Sequence, residues 1–157
     1  MKSVPWENPR TDQVDADRRV ILYVEDDRQN REVAEYRLGR KFEIHTAADD
    51  KEACEKLRAL KDRIFIVLMD IELQNSIVDG IELAKLIRGQ HVDNVLPSYT
   101  RSLPVLSCPI LFVTAYGDRY CKEDLLRAGA SEVIRKPIDF VDLELAITKY
   151  QLSQGQP

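Results

Sequence analysis

Short runs of apolar residues, rich in valine and isoleucine, alternate along this chain with stretches of helical spacing. The runs cover residues 20–24, 42–46, 64–69, 110–113 and 133–134. Near-continuous apolar residues, without a polar residue at every second position, are typical of strands that are covered on both faces of a sheet. Each run is followed by apolar residues three or four positions apart, as on one side of a helix. The pattern therefore predicts five strands, each followed by a helix.

This alternation predicts an α/β fold, in which one five-stranded parallel sheet carries helices on both faces. Parallel strands need crossover connections, and these are right-handed in nearly all known cases. In an open parallel sheet, the binding crevice lies outside the carboxyl ends of the strands. The residues that close each apolar run are therefore the first candidates for a functional site.

The length of 157 residues allows one domain, because a domain takes about 150 residues. We predict a flexible amino-terminal extension over 1–18, the domain over 19–151 and a carboxyl-terminal tail over 152–157. Residues 90–108 have no periodicity, although connections in such folds usually take about 2–6 residues. We interpret 90–108 as an insertion. It leads into the fourth strand from the amino-terminal edge of the sheet, so we expect it not to touch a phosphoryl group at the site.

Composition narrows the possible partners. The chain is 44% hydrophobic and 32% charged, and 23 basic against 27 acidic residues give a net charge of −4. This balance argues against nucleic acid as a partner. No apolar stretch is long enough for a secretory signal or a membrane span, so we expect no membrane association and a cytoplasmic location. The spacing of Cys54, Cys108 and Cys121 matches no metal or redox motif, and we expect Cys54 and Cys121 to be core residues.

Carboxylates follow the first and third apolar runs. Glu25, Asp26 and Asp27 close the first run, and Asp70 closes the third. Taken alone, the first group is equally compatible with a solvated acidic turn, and Asp70 with a helix cap. In a parallel sheet the two groups would share one edge, where their repulsion favours a hard divalent cation. The sequence therefore predicts a Mg²⁺ site at this edge.

Two further strand ends carry groups suited to a phosphoryl ligand. Thr114 closes the fourth run, and the fifth run leads to Lys136. A hydroxyl and an ammonium group can donate to phosphoryl oxygens once a metal has neutralised part of their charge. Each residue alone is a common turn or surface residue, but the four strand ends together predict a site for phosphoryl transfer.

Five segments carry a resemblance to a known family. They are ILYVEDD at 21–27, IVLMD at 66–70, DGIEL at 79–83, PILFVTA at 109–115 and VIRKP at 133–137. Together they resemble the receiver domains of two-component response regulators, over about residues 19 to 151. The resemblance implies a flavodoxin-like sheet of five parallel strands.

Carried over by position, the resemblance implies that Asp70 accepts the phosphoryl group and that Thr114 and Lys136 contact its oxygens. It implies Mg²⁺ as the cofactor, bound by Asp26 and Asp70, by Glu25 through water, and by the backbone carbonyl of Glu72. Asp27 would begin the following loop. Glu72 and Tyr116 would border the approach of water, and we expect the phenol ring to slow hydrolysis.

The same resemblance implies the partners. The phosphoryl donor would be a histidine kinase or a histidine phosphotransfer protein, and the output would pass to another protein, because few residues remain for an effector domain. The protein would not be an enzyme beyond its own phosphorylation and dephosphorylation. Val141 and Leu145 lie off the buried stripe of the last helix, which favours a docking site or a homodimer.

The sequence departs from the usual receiver-domain pattern in two places. The loop over 71–78 is longer than usual and lacks a proline, and Val133 occupies a position where the family usually has an aromatic residue that rotates on phosphorylation. A receiver-like interaction module that is not phosphorylated therefore remains an alternative. The Asp70-Ile71-Glu72 segment also resembles the nucleophile motif of haloacid-dehalogenase-type phosphatases, which gives a second alternative.

Overall fold

The computed structural model describes residues 18–115 and 119–154. The strands are β1 (Val20–Val24), β2 (Glu43–Ala47), β3 (Ile64–Asp70), β4 (Ile110–Thr114) and β5 (Glu132–Arg135). The helices are α1 (Arg28–Leu38), α2 (Asp50–Leu60), α3 (Gly80–Ile87), α4 (Lys122–Arg127) and α5 (Phe140–Gln154). Single 3-10 turns lie at Lys61–Arg63 and Ser98–Thr100.

The five strands form one parallel sheet with the order β2-β1-β3-β4-β5. This is the flavodoxin-like order, so the predicted fold is confirmed. Every residue of β1, β3 and β4 is buried, whereas β2 and β5 are mostly half-buried. The difference follows from position, because β2 and β5 are the edge strands. It also explains why the apolar runs of the central strands are the most continuous.

Helices cover both faces of the sheet, as predicted. On one face, α2, α3 and α4 contribute buried residues such as Leu57, Leu83 and Leu125 to a single core cluster. On the other face, Leu38 of α1 and Ile147 of α5 pack in a second cluster. Apolar burial on both faces stabilises the sheet and fixes which strand ends meet at its carboxyl edge.

Some predicted boundaries differ from the structure. Helix α5 continues through Gln154, beyond the boundary that we predicted at residue 151. The predicted extension over 1–18 lies outside the described residues, apart from Arg18. Cys54 is buried as expected, but Cys121 is an exposed residue at the start of α4, because that helix begins only at Lys122. Within 18–115 and 119–154, no helix is both long and apolar enough to cross a membrane.

The insertion over 90–108 is attached near the amino-terminal edge of the sheet and also along α2. Its later part is anchored near that edge, where the N–H of Leu106 donates to the carbonyl of Ile87 at 2.7 Å. Its 3-10 turn, however, packs along α2, and the hydroxyl of Tyr99 donates to the carboxylate of Asp50. Since α2 runs antiparallel to the strands, Asp50 at its start lies at the carboxyl edge.

Candidate functional site

The acidic residues after β1 and at the end of β3 meet at the carboxyl edge of the sheet. The two strands are parallel neighbours, and Val24 is in register with Met69. Each of Glu25, Asp26 and Asp70 therefore offers a carboxylate oxygen, and these oxygens lie within 4.8 Å of one another. The structure brings together the three side chains that the sequence predicted as a metal site.

Glu25 is the most deeply buried of these acids, with no exposed surface. Its Oε1 accepts hydrogen bonds from Lys136 Nζ and Asn30 Nδ2, each at 2.6 Å. Its Oε2 is buried and has no hydrogen-bond partner among the described residues. Burial alone would raise the pKa of Glu25, but interactions with Asp70, Lys136 and Asn30 outweigh it and lower that pKa. A buried carboxylate oxygen without a donor is costly, and a cation would satisfy it.

Asp70 is the last residue of β3 and is 5% exposed. Its Oδ2 accepts a hydrogen bond from Lys136 Nζ at 3.1 Å. Burial and the neighbouring Glu25 raise the pKa of Asp70 to about 8, although Lys136 opposes the shift. Burial also opposes the charge of Lys136, but the two carboxylates outweigh it and raise the pKa of the ammonium group. Two acids therefore share one cation, and a second cation would favour the ionised form of Asp70.

Asp26 is half-buried and contacts the loop between β3 and α3. Its Oδ2 accepts a hydrogen bond from the N–H of Gln74 at 2.8 Å. The Arg31 guanidinium donates to the carbonyl oxygens of Glu25 and Asp26, each at 2.9 Å, and so fixes the turn after β1. Asp27 instead caps α1 by accepting from the N–H of Asn30 at 2.8 Å. It lies in the following loop, as the sequence indicated.

A cavity of about 350 Å³ opens over these groups. Residues from the ends of several elements line it, among them Asp26, Asp70, Glu72, Asp79, Thr114 and Lys136. Thr114 ends β4 and is 3% exposed, and its carbonyl accepts from the N–H of Lys136 at 2.9 Å. One cavity therefore holds carboxylates, a hydroxyl group and an ammonium group, a set of groups that is chemically suited to a phosphoryl ligand.

Glu72 lines this cavity, but its side chain points to the loop between β4 and α4. Its Oε1 accepts hydrogen bonds from the hydroxyl of Tyr120 at 3.0 Å and from the guanidinium of Arg119. The carboxylate of Glu72 is not part of the acidic cluster. The prediction of Glu72 as a ligand therefore concerns its backbone carbonyl alone. Tyr116, which we predicted to border the approach of water, lies outside the described residues.

The Asp-Gly pair at the start of α3 allows this helix to begin against the end of β3. Asp79 caps the helix and forms a capping box with Glu82. The N–H of Gly80 donates to the carbonyl of Ile71 at 2.9 Å. A Cβ atom at Gly80 would lie only 2.1 Å from the carbonyl oxygen of Asp70, so no larger residue fits without movement of β3. The pair therefore positions one wall of the cavity.

Several residues that support the site were not predicted from the sequence. Asn30 lies in the first turn of α1, and helical register after Glu25 could have indicated it. Arg119 and Tyr120 come from a loop with no periodicity, so no signal pointed to their contact with Glu72.

Val133 lies in β5 at the position where the family usually has an aromatic residue, and it is half-buried. It lines a cavity of about 180 Å³ together with Thr114, Tyr120 and Leu125. Among the described residues that line this cavity, the aromatic ring comes from Tyr120 in the β4–α4 loop rather than from β5.

Comparisons with known proteins agree with this geometry. The sequence pattern of the response regulator receiver domain matches residues 21–148. The response regulator protein PilR of Pseudomonas aeruginosa is 30% identical over 137 residues, which is 86% of this chain and 27% of PilR. The transcriptional regulatory protein CrdR of Helicobacter pylori is 25% identical over 85% of this chain and 54% of CrdR. The chain thus spans only about a quarter to a half of these relatives.

Solved structures show the same fold. The receiver domain of NtrX from Brucella abortus has a TM-score of 0.64 and 26% identity, over 83% of this chain and 96% of that chain. The receiver domain of the sensor histidine kinase PA1611 from Pseudomonas aeruginosa, solved with a magnesium ion coordinated in its active site cleft, has a TM-score of 0.62 and 26% identity, over 84% of this chain and 96% of that chain. By sequence match and fold, this chain belongs to the response regulator receiver domain family of two-component systems.

Proposed function

We propose that the protein is the phosphoacceptor of a two-component phosphorelay, with Asp70 as the residue that is phosphorylated. The observation that carries this proposal is the position of Lys136, whose Nζ donates to both Glu25 and Asp70 in the cavity that Thr114 lines. Asp70 is a buried aspartate with a raised pKa, and it lies next to the ammonium group of Lys136 and the hydroxyl of Thr114. Such an aspartate is a suitable acceptor for a phosphoryl group.

The acidic residues fit Mg²⁺ as a cofactor. Mg²⁺ prefers one or two carboxylates together with waters and phosphate oxygens. The acidic residues at this edge offer oxygen atoms as metal ligands. The buried Oε2 of Glu25 lacks a donor among the described residues, which supports a cation nearby. The solved relative PA1611 holds a magnesium ion in its cleft. We assign Asp26, Asp70 and the carbonyl of Glu72 as direct ligands and Glu25 as a ligand through water. Bound Mg²⁺ would neutralise charge on the incoming phosphoryl group.

The transfer reaction uses a carboxylate oxygen of Asp70 as the nucleophile. This oxygen attacks phosphorus and forms an acyl phosphate, while the P–N bond of a donor phosphohistidine breaks and its imidazole leaves with the bond's electron pair. Lys136, at 3.1 Å from Asp70, is placed to donate to a phosphoryl oxygen, and Thr114 offers its hydroxyl. Later attack by water on phosphorus releases inorganic phosphate and restores Asp70. We propose that the protein catalyses only its own phosphorylation and dephosphorylation.

Two surfaces near this cavity support the proposed partners. A groove of about 500 Å³ between α1 and the start of α5 adjoins Lys136, and Val33, Ile138 and Phe140 line it. This apolar groove supports docking of a histidine kinase or phosphotransfer protein against the acceptor. On α5, Val141 and Leu145 are 60% and 61% exposed, which supports an output partner or a second copy of the chain at that face.

The experiment is incubation with Mg²⁺ and a small acyl phosphate or phosphoramidate donor, followed by intact-mass analysis. We expect the mass of the Asp70→Asn variant to stay unchanged. The unmodified protein should gain the mass of one phosphoryl group, and this group should be lost in base. A parallel reaction with excess chelator should give no added mass. An unmodified protein that gains no phosphoryl group while folded would overturn the proposal in favour of the interaction module. Steady release of phosphate from small esters would instead support the phosphatase alternative.

A further inference from the structure

Asp50 is a buried acid outside the acidic cluster, and the proposed reaction does not use it. It is the first residue of α2 and is 3% exposed. It does not cap the helix, because Asp49 does so by accepting from the N–H of Glu52 at 2.8 Å. A buried carboxylate needs several donors to offset its desolvation. Apart from the adjacent Lys51, the donors to the Asp50 carboxylate come from distant parts of the chain, so Asp50 connects these parts.

Asp50 fixes the far part of the loop between β3 and α3. Its Oδ2 accepts from the N–H groups of Ile77 and Val78, each at 3.0 Å. Its own N–H donates to the Ser76 hydroxyl at 3.0 Å. Burial would raise the pKa of Asp50, but hydrogen bonds from Tyr99, Val78, Ile77 and Lys51 outweigh it and lower that pKa. Asp50 is therefore held as an ionised acceptor for backbone groups of this loop.

The same loop carries a predicted metal ligand. It begins directly after Asp70, and it contains Glu72, whose carbonyl we assign to Mg²⁺. The N–H of Gln74 donates to Asp26 at 2.8 Å. The middle of the loop has a left-handed residue, Asn75, with φ of 60°. A loop of this length has many accessible conformations, so fixing its far part lowers the entropy that ordering the ligand would cost.

The insertion holds Asp50 in turn. The Tyr99 hydroxyl donates to Asp50 Oδ2, next to the two backbone donors. The turn that carries Tyr99 is attached to the same helix, because Arg58 of α2 donates to the carbonyls of Tyr99 and of Arg101, the latter at 2.6 Å. Thr100 within this turn is 4% exposed. The insertion is thus packed against α2 and places one phenol at the start of that helix.

From these contacts we propose that Asp50 is a positioning residue for the metal site, and that Tyr99 of the insertion supports it. Asp50 orders the β3–α3 loop, and through that loop it orders the carbonyl of Glu72. The proposal rests on the proposed function, because the readout is Mg²⁺ binding. Through Tyr99, the insertion over 90–108 would thus help to order the loop at the carboxyl edge of the sheet, where Asp70 lies.

The test measures the dissociation constant for Mg²⁺ by calorimetry at a temperature where every variant is fully folded. The variants are Asp50→Ala, Asp50→Asn and Tyr99→Phe, with Tyr36→Phe as a matched control, since Tyr36 is a 68% exposed tyrosine on α1. We expect Asp50→Ala to weaken binding about 10-fold, the lower end for groups that orient metal ligands. Asp50→Asn keeps one acceptor oxygen and should fall between Asp50→Ala and the unmodified protein. Tyr99→Phe should weaken binding by less, and Tyr36→Phe should have no effect.

Amide hydrogen exchange gives a second readout. Without Mg²⁺, Asp50→Ala should increase exchange at Ile77 and Val78, while the amides of β3 keep their protection. If Asp50→Ala and Tyr99→Phe lower the melting temperature but leave Mg²⁺ affinity unchanged, Asp50 is only a structural residue and the inference is wrong. If the unmodified protein itself binds no Mg²⁺, the proposed function fails instead.

Discussion

Lys136 and Asp70 lie 66 residues apart in the chain, and Lys136 Nζ donates to Asp70 Oδ2 at 3.1 Å. The same ammonium group contacts Glu25 Oε1 at 2.6 Å. One cation therefore compensates two buried acids, and this arrangement depends on β5 ending at the same edge as β1 and β3. Stability and proposed chemistry are coupled through this one side chain.

Removal of the Lys136 ammonium should cost both stability and phosphorylation. Lys136→Met leaves Glu25 without its main cation, and breaking a buried ion pair in this way costs about 3 kcal/mol or more. Urea unfolding at neutral pH measures the free energy of unfolding. Lys149→Met is the matched control, because the Lys149 side chain is 74% exposed and its ion pair with Glu132 is long, at 3.9 Å. A Lys136→Met variant as stable as the control would contradict the assigned role.

Mg²⁺ should stabilise the folded protein. A ligand at 100 times its dissociation constant adds about 2.7 kcal/mol, which for a domain of this size raises the melting temperature by several degrees. Asp26→Asn should lose most of this gain, although its remaining oxygen can still accept from Gln74. Asp93→Asn is the control, since its carboxylate is exposed. Equal gains from Mg²⁺ in the Asp26 and Asp93 variants would exclude Asp26 as a ligand.

The raised pKa of Asp70 predicts a specific pH dependence of stability in the metal-free protein. An acid with a higher pKa in the folded state binds more protons when folded, so stability falls as pH rises between the two pKa values. For Asp70 this window extends from about 4 in the unfolded chain to about 8 in the folded protein. Asp70→Asn removes the charge and should flatten this part of the profile. Thermal unfolding between about pH 6 and pH 9, with chelator, measures the difference between the two proteins. Parallel profiles would show that Asp70 does not titrate in this range.

The exposed residues of α5 should affect association without affecting folding. Val141 and Leu145 are more than half exposed, whereas Leu143 on the same helix is 2% exposed. We therefore expect Val141→Glu and Leu145→Glu to leave the melting temperature nearly unchanged and Leu143→Glu to lower it strongly. Light scattering of the phosphorylated protein should show weaker self-association in the first two variants. If the phosphorylated protein is monomeric, the face does not form a homodimer.

Much of the site could be predicted because strand ends in a parallel sheet share one edge. Asp70 and Thr114 each end a buried strand, and Lys136 directly follows the half-buried β5, so the alternating pattern alone placed them together. Support residues outside the strands could not be predicted in this way. Tyr99 lies in a segment without periodicity, and its contact with Asp50 joins residues 49 positions apart. Nothing in the local sequence indicates which helix such a segment packs against.

The loss of the aromatic residue at Val133 was visible in the sequence, but its structural consequence was not. Tyr120 approaches the same cavity from the β4–α4 loop and donates to Glu72. The position of a loop residue depends on tertiary contacts rather than on spacing, so only the structure relates Tyr120 to Val133.

The most direct test of the account is chemical identification of the phosphorylated residue. The protein is incubated with Mg²⁺ and a phosphorylated histidine donor, reduced with borohydride, and digested for peptide mass analysis. Borohydride converts an aspartyl phosphate into homoserine, so the label survives digestion. We predict homoserine at position 70 alone, and none when Mg²⁺ is chelated. Homoserine at another acid of the site, such as Asp26, or its absence from a folded and Mg²⁺-loaded protein, would contradict the assignment of Asp70 as the phosphoacceptor.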